Sequence, residues 1–177
     1  RQFDLHNLMA SHKPTIAGLL ENKFSDSSLE LFKNQAGAQW DMEHNISQGK
    51  KGRILVLWEK NIWEGTILDK KDQQLTMFFK NVGGLELYIT FVYAKNLASE
   101  RTELWKQIIG LSRQITKPWL VIGDFNAVLT TKERIGGNNL TVAQLAEFNE
   151  CVLESGLLET SHTGLHFTWK SGKGKNI

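Results

Sequence analysis

Apolar residues recur along the chain in two rhythms, and their alternation divides it into short elements. Leu5, Leu8 and Met9 fall at three- and four-residue spacing and predict the end of a helix that stops before Lys13-Pro14. The run "TIAGLLE" (15–21), bounded by Pro14 and polar residues, predicts a buried strand. "SDSSLELFKNQ" (25–35) predicts a short helix, because Ser and Asp at its start accept from free backbone N–H groups. Next come "AQWDMEH" (38–44), "RILVLWEK" (53–60), "WEGTILDK" (63–70), "QQLTMFFK" (73–80) and "LELYITFVYA" (85–94). Gly, Asn or charged clusters bound each of them, which predicts a series of strands. "KNVGG" (80–84) predicts a hairpin turn, its glycines accepting positive φ.

From Ser99 to Gln114 the period changes, placing Leu104, Ile108 and Leu111 on one helical face with Trp105 and Ile109 beside them. "PWLVIG" (118–123) predicts a buried strand. Thr141-Val142-Ala143-Gln144 has the form of a capping box ahead of Leu145, Phe148 and Val152, and Gly156 fits the helix stop. Two short strands are predicted around "GLLET" (156–160) and "LHFTW" (165–169). Strands in series, then helices interleaved with single strands, predict an α/β fold of two packed sheets flanked by helices.

Composition adds bounds. The 177 residues suit one domain, and 41% hydrophobic with 23% charged residues suits a packed core. Only two prolines occur, against a Pro-rich linker. A net charge of +2 permits a phosphate-bearing partner without demanding one. The single cysteine, Cys151, excludes an intramolecular disulfide and reads as a small buried hydrophobe; a reducing, intracellular compartment is the simple reading. No apolar stretch reaches the ~18 residues that span a bilayer. The chain opens Arg-Gln-Phe-Asp and closes on "KSGKGKNI", so both ends read as cut.

Three carboxylate- or phenol-bearing positions fall at the ends of strand-like runs: Glu21, Tyr93 and Asp124. Strand ends are where a rigid scaffold aims polar groups into a cleft. Asn96 and Asn126 follow closely in "FVYAKN" and "GDFN". Such a set suits attack on a phosphate ester: Glu21 to hold a hard divalent cation, Asp124 to orient and deprotonate water, and the asparagine amides to donate to non-bridging oxygens. Tyr93 can donate similarly. Taken one at a time, the same residues have plainer readings. Gly-Asp-Phe-Asn is first of all a turn, Glu21 a solvated strand end and Tyr93 a core aromatic. Trp58, Trp63, Trp105 and Trp119 are expected in the core, with Trp169 open between core and cleft. His6, His12, His44, His162 and His166 show no tight metal-ligand spacing. The Lys-rich "GKKGR" (49–53) and "KSGKGK" (170–175) read as solvated loops, with a phosphate-backbone contact as the sharper alternative.

In order along nearly the whole chain, "HKPTIAGLLENK", "GRILVLWEKNIW", "LYITFVYAKN", "RTELWKQI", "KPWLVIGDFNAVLTTKERIGG" and "GLHFTW" resemble the endonuclease/exonuclease/phosphatase superfamily of apurinic/apyrimidinic endonuclease and DNase I. Within it they resemble most the endonuclease region of plant LINE-type non-LTR retrotransposons. The resemblance implies a four-layer α/β sandwich of two sheets with helices outside. It implies Mg²⁺, or Mn²⁺ in its place, held by Glu21. It also implies Tyr93 and Asn96 beside the scissile phosphate, and Asp124 and Asn126 as the catalytic pair. The substrate implied is DNA, contacted weakly through its phosphates, and a reverse-transcriptase region is implied in a longer parent. Two alternatives stay open: a non-catalytic nucleic-acid-binding or scaffold remnant, and a phosphoesterase of small phosphates such as phosphoinositides. The family pattern begins with a strand ending in a metal-binding asparagine and ends with an Asp-containing strand and an Asp-His segment. This sequence starts after the first and stops before the second, so the expectation is a partial domain, inactive or weakly active by itself. His162 and His166 precede Trp169 and do not match the family histidine.

Overall fold

A computed structural model of the chain describes residues 2–24, 26–46, 52–136 and 141–161. The elements are helix α1 (Gln2–His12), strand β1 (Ile16–Phe24), helix α2 (Asp26–Ala36), and strands β2 (Trp40–His44), β3 (Gly52–Glu59) and β4 (Trp63–Lys70). Strands β5 (Gln74–Asn81) and β6 (Glu86–Tyr93), helix α3 (Ala98–Ser112), strand β7 (Trp119–Asp124) and helix α4 (Val142–Glu154) follow. They divide into two compact units. Residues 1–95 and 115–125 hold both sheets, and residues 96–114 and 126–177 hold α3 and α4.

In the first unit the three-stranded sheet has the order β1-β3-β2 and the four-stranded sheet the order β4-β5-β6-β7, neither closing into a barrel. All pairings are antiparallel except β6 with β7, which is parallel. A parallel pair needs a long connection, and α3 lies within it. Ile54, Val56 and Trp58 of β3 share one core with Leu75, Met77 and Phe79 of β5 and with Ile89 and Phe91 of β6. The intervening Leu55 and Leu57 belong to a second cluster with Leu29 and Phe32 of α2 and with Met42 of β2. Both faces of β3 are therefore covered, which is why its sequence is a continuous apolar run rather than an alternating one. Gly18 of β1 marks a close approach of the sheets: a Cβ there would lie 2.4 Å from the Phe91 ring.

Buried polar groups in the four-stranded sheet satisfy one another. Thr76 Oγ1 donates to Gln74 Oε1 at 2.7 Å and lies 2.9 Å from Thr90 Oγ1, which accepts from Trp119 Nε1 at 2.9 Å. Trp119 thus fastens β7 to β6 by a hydrogen bond.

Several expectations change. "PWLVIG" forms a strand, but an edge strand, not a buried one: Leu120 is 38% and Ile122 49% exposed, because among the described residues β7 has only β6 beside it. Trp63 packs against the core while only half-buried, and Trp119 is half-buried on the edge strand; each has its indole N–H bonded to a threonine hydroxyl. Residues 157–160 are irregular, with Leu158 exposed, so the "GLLET" strand is absent; "LHFTW" lies outside the described residues. In "KNVGG" only Gly84 takes positive φ, and the Asn81 side chain closes the turn by accepting from Leu85 N–H at 2.9 Å.

In the second unit, Leu104, Trp105, Ile108 and Leu111 are the buried apolar side chains of α3, as the helical period requires. Trp105 stacks on Phe148 of α4 with ring centroids 4.9 Å apart. Gly156, φ +64, ends α4 in a Schellman motif: its N–H donates to Leu153 C=O at 3.1 Å and that of Leu157 to Val152 C=O at 3.1 Å. Among the described residues no helix is long and apolar enough to cross a membrane.

Candidate active site

Parallel pairing fixes where Tyr93 and Asp124 stand. They are register partners at the C-terminal ends of β6 and β7, and the next residue, Ala94, donates its N–H to Asp124 C=O at 2.8 Å. Neighbouring strands lie about 4.8 Å apart, so the phenol and the carboxylate spring from adjacent backbone positions. Gly123, at φ +146, permits this approach, since its absent Cβ would fall 2.0 Å from the Val92 carbonyl oxygen. Asp124 is exposed and Tyr93 half-buried.

The turn between β4 and β5 holds the end of β6. Gln73 C=O accepts from Tyr93 N–H at 3.0 Å, and Gln73 Oε1 accepts from Lys95 N–H at 2.7 Å. Lys95 Nζ pairs with Asp72 at 2.8 Å. Both sides of Tyr93 are therefore pinned by one short turn.

Glu21 stands on β1 where the pairing with β3 slips between Leu20 and Phe24. Its φ of +64 is uncommon for a residue with a Cβ, and its side chain is exposed. A bulge with left-handed backbone re-aims a side chain at a local cost of about 1–3 kcal/mol, a device concentrated at functional sites. Leu20 pairs with Ile54, so the bulge lies beside the start of β3, where Arg53 sits. The Arg53 guanidinium carbon is 5.5 Å from the centroid of the Tyr93 ring, reaching from one sheet to the other. Through these relations Glu21, Arg53, Tyr93 and Asp124 share one end of the sandwich.

Asn45 anchors this end. It is buried, its Oδ1 accepts from the N–H groups of Arg53 and Ile54 at 2.9 Å each, and its Nδ2 donates to Lys71 C=O at 3.1 Å and Asp72 C=O at 2.8 Å. One amide thereby ties the start of β3 to the same turn that holds Tyr93.

The two remaining candidates belong to the second unit. Asn96 lies one residue before Leu97, the N-cap of α3, is exposed, and its C=O accepts from Arg101 Nη1 at 2.8 Å. Asn126 takes φ +45, a conformation asparagine tolerates better than most residues. The segment after it is fixed by Asn149 of α4, whose Nδ2 donates to Leu129 C=O at 2.8 Å, and by a capping box between Thr130 and Glu133. A small pocket of about 130 Å³ in this unit is lined by Arg101, Trp105, Ala127, Glu147 and Phe148, among others. Burial lowers the Arg101 pKa from its ordinary value, opposed by the nearby Glu147 carboxylate.

Sequence reasoning did not single out Asn45 or Gln73, and Arg53 entered as the end of a basic loop and the first residue of a predicted strand, not as a site residue. Their partners lie between 8 and 27 positions away for Asn45, and 22 positions away for the Gln73 side chain. No local spacing signals such contacts.

Among the described residues no group of three or more His, Cys, Asp or Glu comes together as a metal-binding set. A lone exposed carboxylate such as Glu21 suits a hard ion that keeps several waters, as Mg²⁺ does.

Two sheets in these orders, with helices in the connections, make a DNase I-like α/β sandwich. Among solved structures the chain is similar to the "Endonuclease domain of TRAS1, a telomere-specific non-LTR retrotransposon", at 14% identity and a TM-score of 0.65 over 86% of this chain and 64% of that one. It is also similar to ANGEL2, "a 2',3'-cyclic phosphatase", at 10% identity and a TM-score of 0.52, covering 70% of this chain and 42% of that one. A truncated Caenorhabditis elegans TDP2 is similar at 13% identity and a TM-score of 0.50, covering 71% of this chain and 54% of that one. The chain thus spans less than two thirds of each. Neither a protein-family model nor a curated protein sequence matches it.

Proposed function

We propose that the chain comes from a retroelement-type endonuclease domain that hydrolyses DNA phosphodiester bonds with a divalent metal. The observation that supports this most is the register of Tyr93 with Asp124 at the ends of parallel strands, at the same end of the sandwich as the bulged Glu21. Asp124 is the residue to orient the attacking water and take its proton. Tyr93, anchored on both sides by Gln73, is the donor to a phosphate oxygen. For Asn96 and Asn126 the family resemblance alone supports a role, as amide donors to non-bridging oxygens as charge builds. Glu21 is the carboxylate to hold Mg²⁺ or Mn²⁺, and the bound ion supplies charge stabilisation on the phosphoryl and leaving oxygens. The resemblance to plant LINE elements and the TRAS1 likeness both favour DNA over small phosphates.

Relaxation of supercoiled plasmid tests this reading. Slow nicking that needs Mg²⁺ and disappears in Asp124→Ala is expected. Nicking that persists in Asp124→Ala would sink the proposal. Salt-sensitive DNA binding without nicking at any Mg²⁺ concentration would favour the non-catalytic nucleic-acid-binding reading instead.

A further inference from the structure

Arg53 is set at the start of β3 with its backbone N–H held by the buried Asn45, so its position is fixed from behind. Its side chain is half-buried and lies over the Tyr93 ring at 5.5 Å. Among the described residues no carboxylate pairs with it; the ion pairs belong to Lys70, Lys71, Lys80, Lys95 and Lys117. A partly desolvated guanidinium that no described carboxylate pairs with favours an anionic ligand. A cation 5.5 Å over an aromatic face is held there by attraction to the ring, and the forked N–H donors of a guanidinium suit bidentate recognition of two phosphate oxygens. The Glu21 bulge lies beside the start of β3 that carries Arg53, and the ring it covers is that of Tyr93, the register partner of Asp124.

We propose that Arg53 is a phosphate-binding residue, contacting one backbone phosphate of DNA beside Tyr93. The inference rests on the endonuclease reading for its choice of DNA, but it concerns binding and is tested without turnover. Fluorescence anisotropy of a labelled DNA duplex, with EDTA present and salt varied, gives the affinity and its salt slope for the full 177-residue chain. Arg53→Gln is expected to weaken binding about tenfold and to reduce the log–log salt slope by about 0.9, the loss of one phosphate contact. Arg53→Lys keeps the charge and should keep the slope while losing part of the affinity. The Arg53 side-chain N–H resonance of the unaltered chain, assigned by its loss in Arg53→Lys, should shift saturably on adding duplex, which decides the matter even where Arg53→Gln fails to fold. Unchanged affinity and slope in Arg53→Gln, an unmoved resonance, or no binding by the unaltered chain would each overturn the proposal. A chain that binds through Arg53 but never nicks leaves the contact standing and removes only the hydrolytic reading. A chain that nicks through Asp124 while Arg53→Gln binds as before does the reverse.

Discussion

Gly123 and Val92 are register partners on parallel strands, so close that a methyl group on Gly123 would lie 2.0 Å from the Val92 carbonyl oxygen. The obstructing atom is backbone and cannot swing aside. Gly123→Ala must therefore separate β7 from β6 one residue before Asp124, in addition to straining a φ of +146. A loss of about 2 kcal/mol or more in unfolding free energy is expected, with nicking lost even where the fold persists. Urea denaturation measures the first and plasmid relaxation the second. A variant as stable and active as the unaltered chain would show that this approach is not required.

Asn45 satisfies four backbone groups at once, two N–H donors on β3 and two carbonyls in the turn before β5. Asn45→Ala leaves those groups without their partner in a buried place. The expected cost is on the order of 3 kcal/mol, far above that of an ordinary surface substitution. Asn45→Asp should be no better, since a carboxylate oxygen would face the carbonyls of Lys71 and Asp72. Denaturation midpoints decide it, and a loss under about 0.5 kcal/mol would mean that water replaces the amide.

These two residues mark the boundary of what the sequence discloses. Elements whose period is strong and local were legible: β4 runs over the residues of "WEGTILDK", and α3 buries Leu104, Ile108 and Leu111. Gly156 was legible too, because a helix stop is written in its own residues. The exposure of β7 was not, since four apolar residues in a row look alike whether one neighbouring strand is present or two. The Leu157–Thr160 segment is apolar at its start yet pairs with nothing described, which only tertiary context decides. At the candidate site, the strand-end positions of Tyr93 and Asp124 were readable, whereas their shared register depends on how β7 docks. Arg53, Gln73 and Asn45 act through partners distant in sequence, so nothing near them in the chain announces their part.

Glu21 carries a conflict between backbone and side chain that a pair of variants can separate. Its φ of +64 costs a residue with a Cβ about 1 kcal/mol relative to glycine. Glu21→Gly is therefore expected to raise the urea midpoint measured without metal, by roughly 0.5–1 kcal/mol of unfolding free energy. The same change should abolish metal-dependent nicking. Glu21→Gln, which keeps the strain and removes the charge, should leave stability near that of the unaltered chain and raise the Mg²⁺ concentration for half-maximal nicking about tenfold or more. Equal Mg²⁺ dependence in Glu21→Gln and the unaltered chain would remove Glu21 from the metal.

Cys151 couples the packing of α4 on α3 to pH. It is almost fully buried, and its thiol lies 3.8 Å from the Trp105 carbonyl oxygen. Burial pushes its pKa up from 9.0 to about 11, against a lowering by Ser155 and with a smaller push from Glu154. For a thiol the charged form is the deprotonated one, so a raised folded pKa means that the unfolded chain releases its proton first. Below pH 9 both states hold the proton and Cys151 has no effect on the pH dependence. Between about pH 9 and 11 the unfolded state is favoured progressively, and above 11 the loss levels off. The informative quantity is the difference from Cys151→Ala, which isolates the thiol. That variant should show a shallower decline of unfolding free energy from pH 9 to 11, beneath a pH-independent cost for the small cavity. Native Cys151 should also resist iodoacetamide at pH 8 until denaturant is added, because only the thiolate reacts. Parallel pH profiles for the two chains, or rapid alkylation of the folded protein, would place the thiol in contact with water.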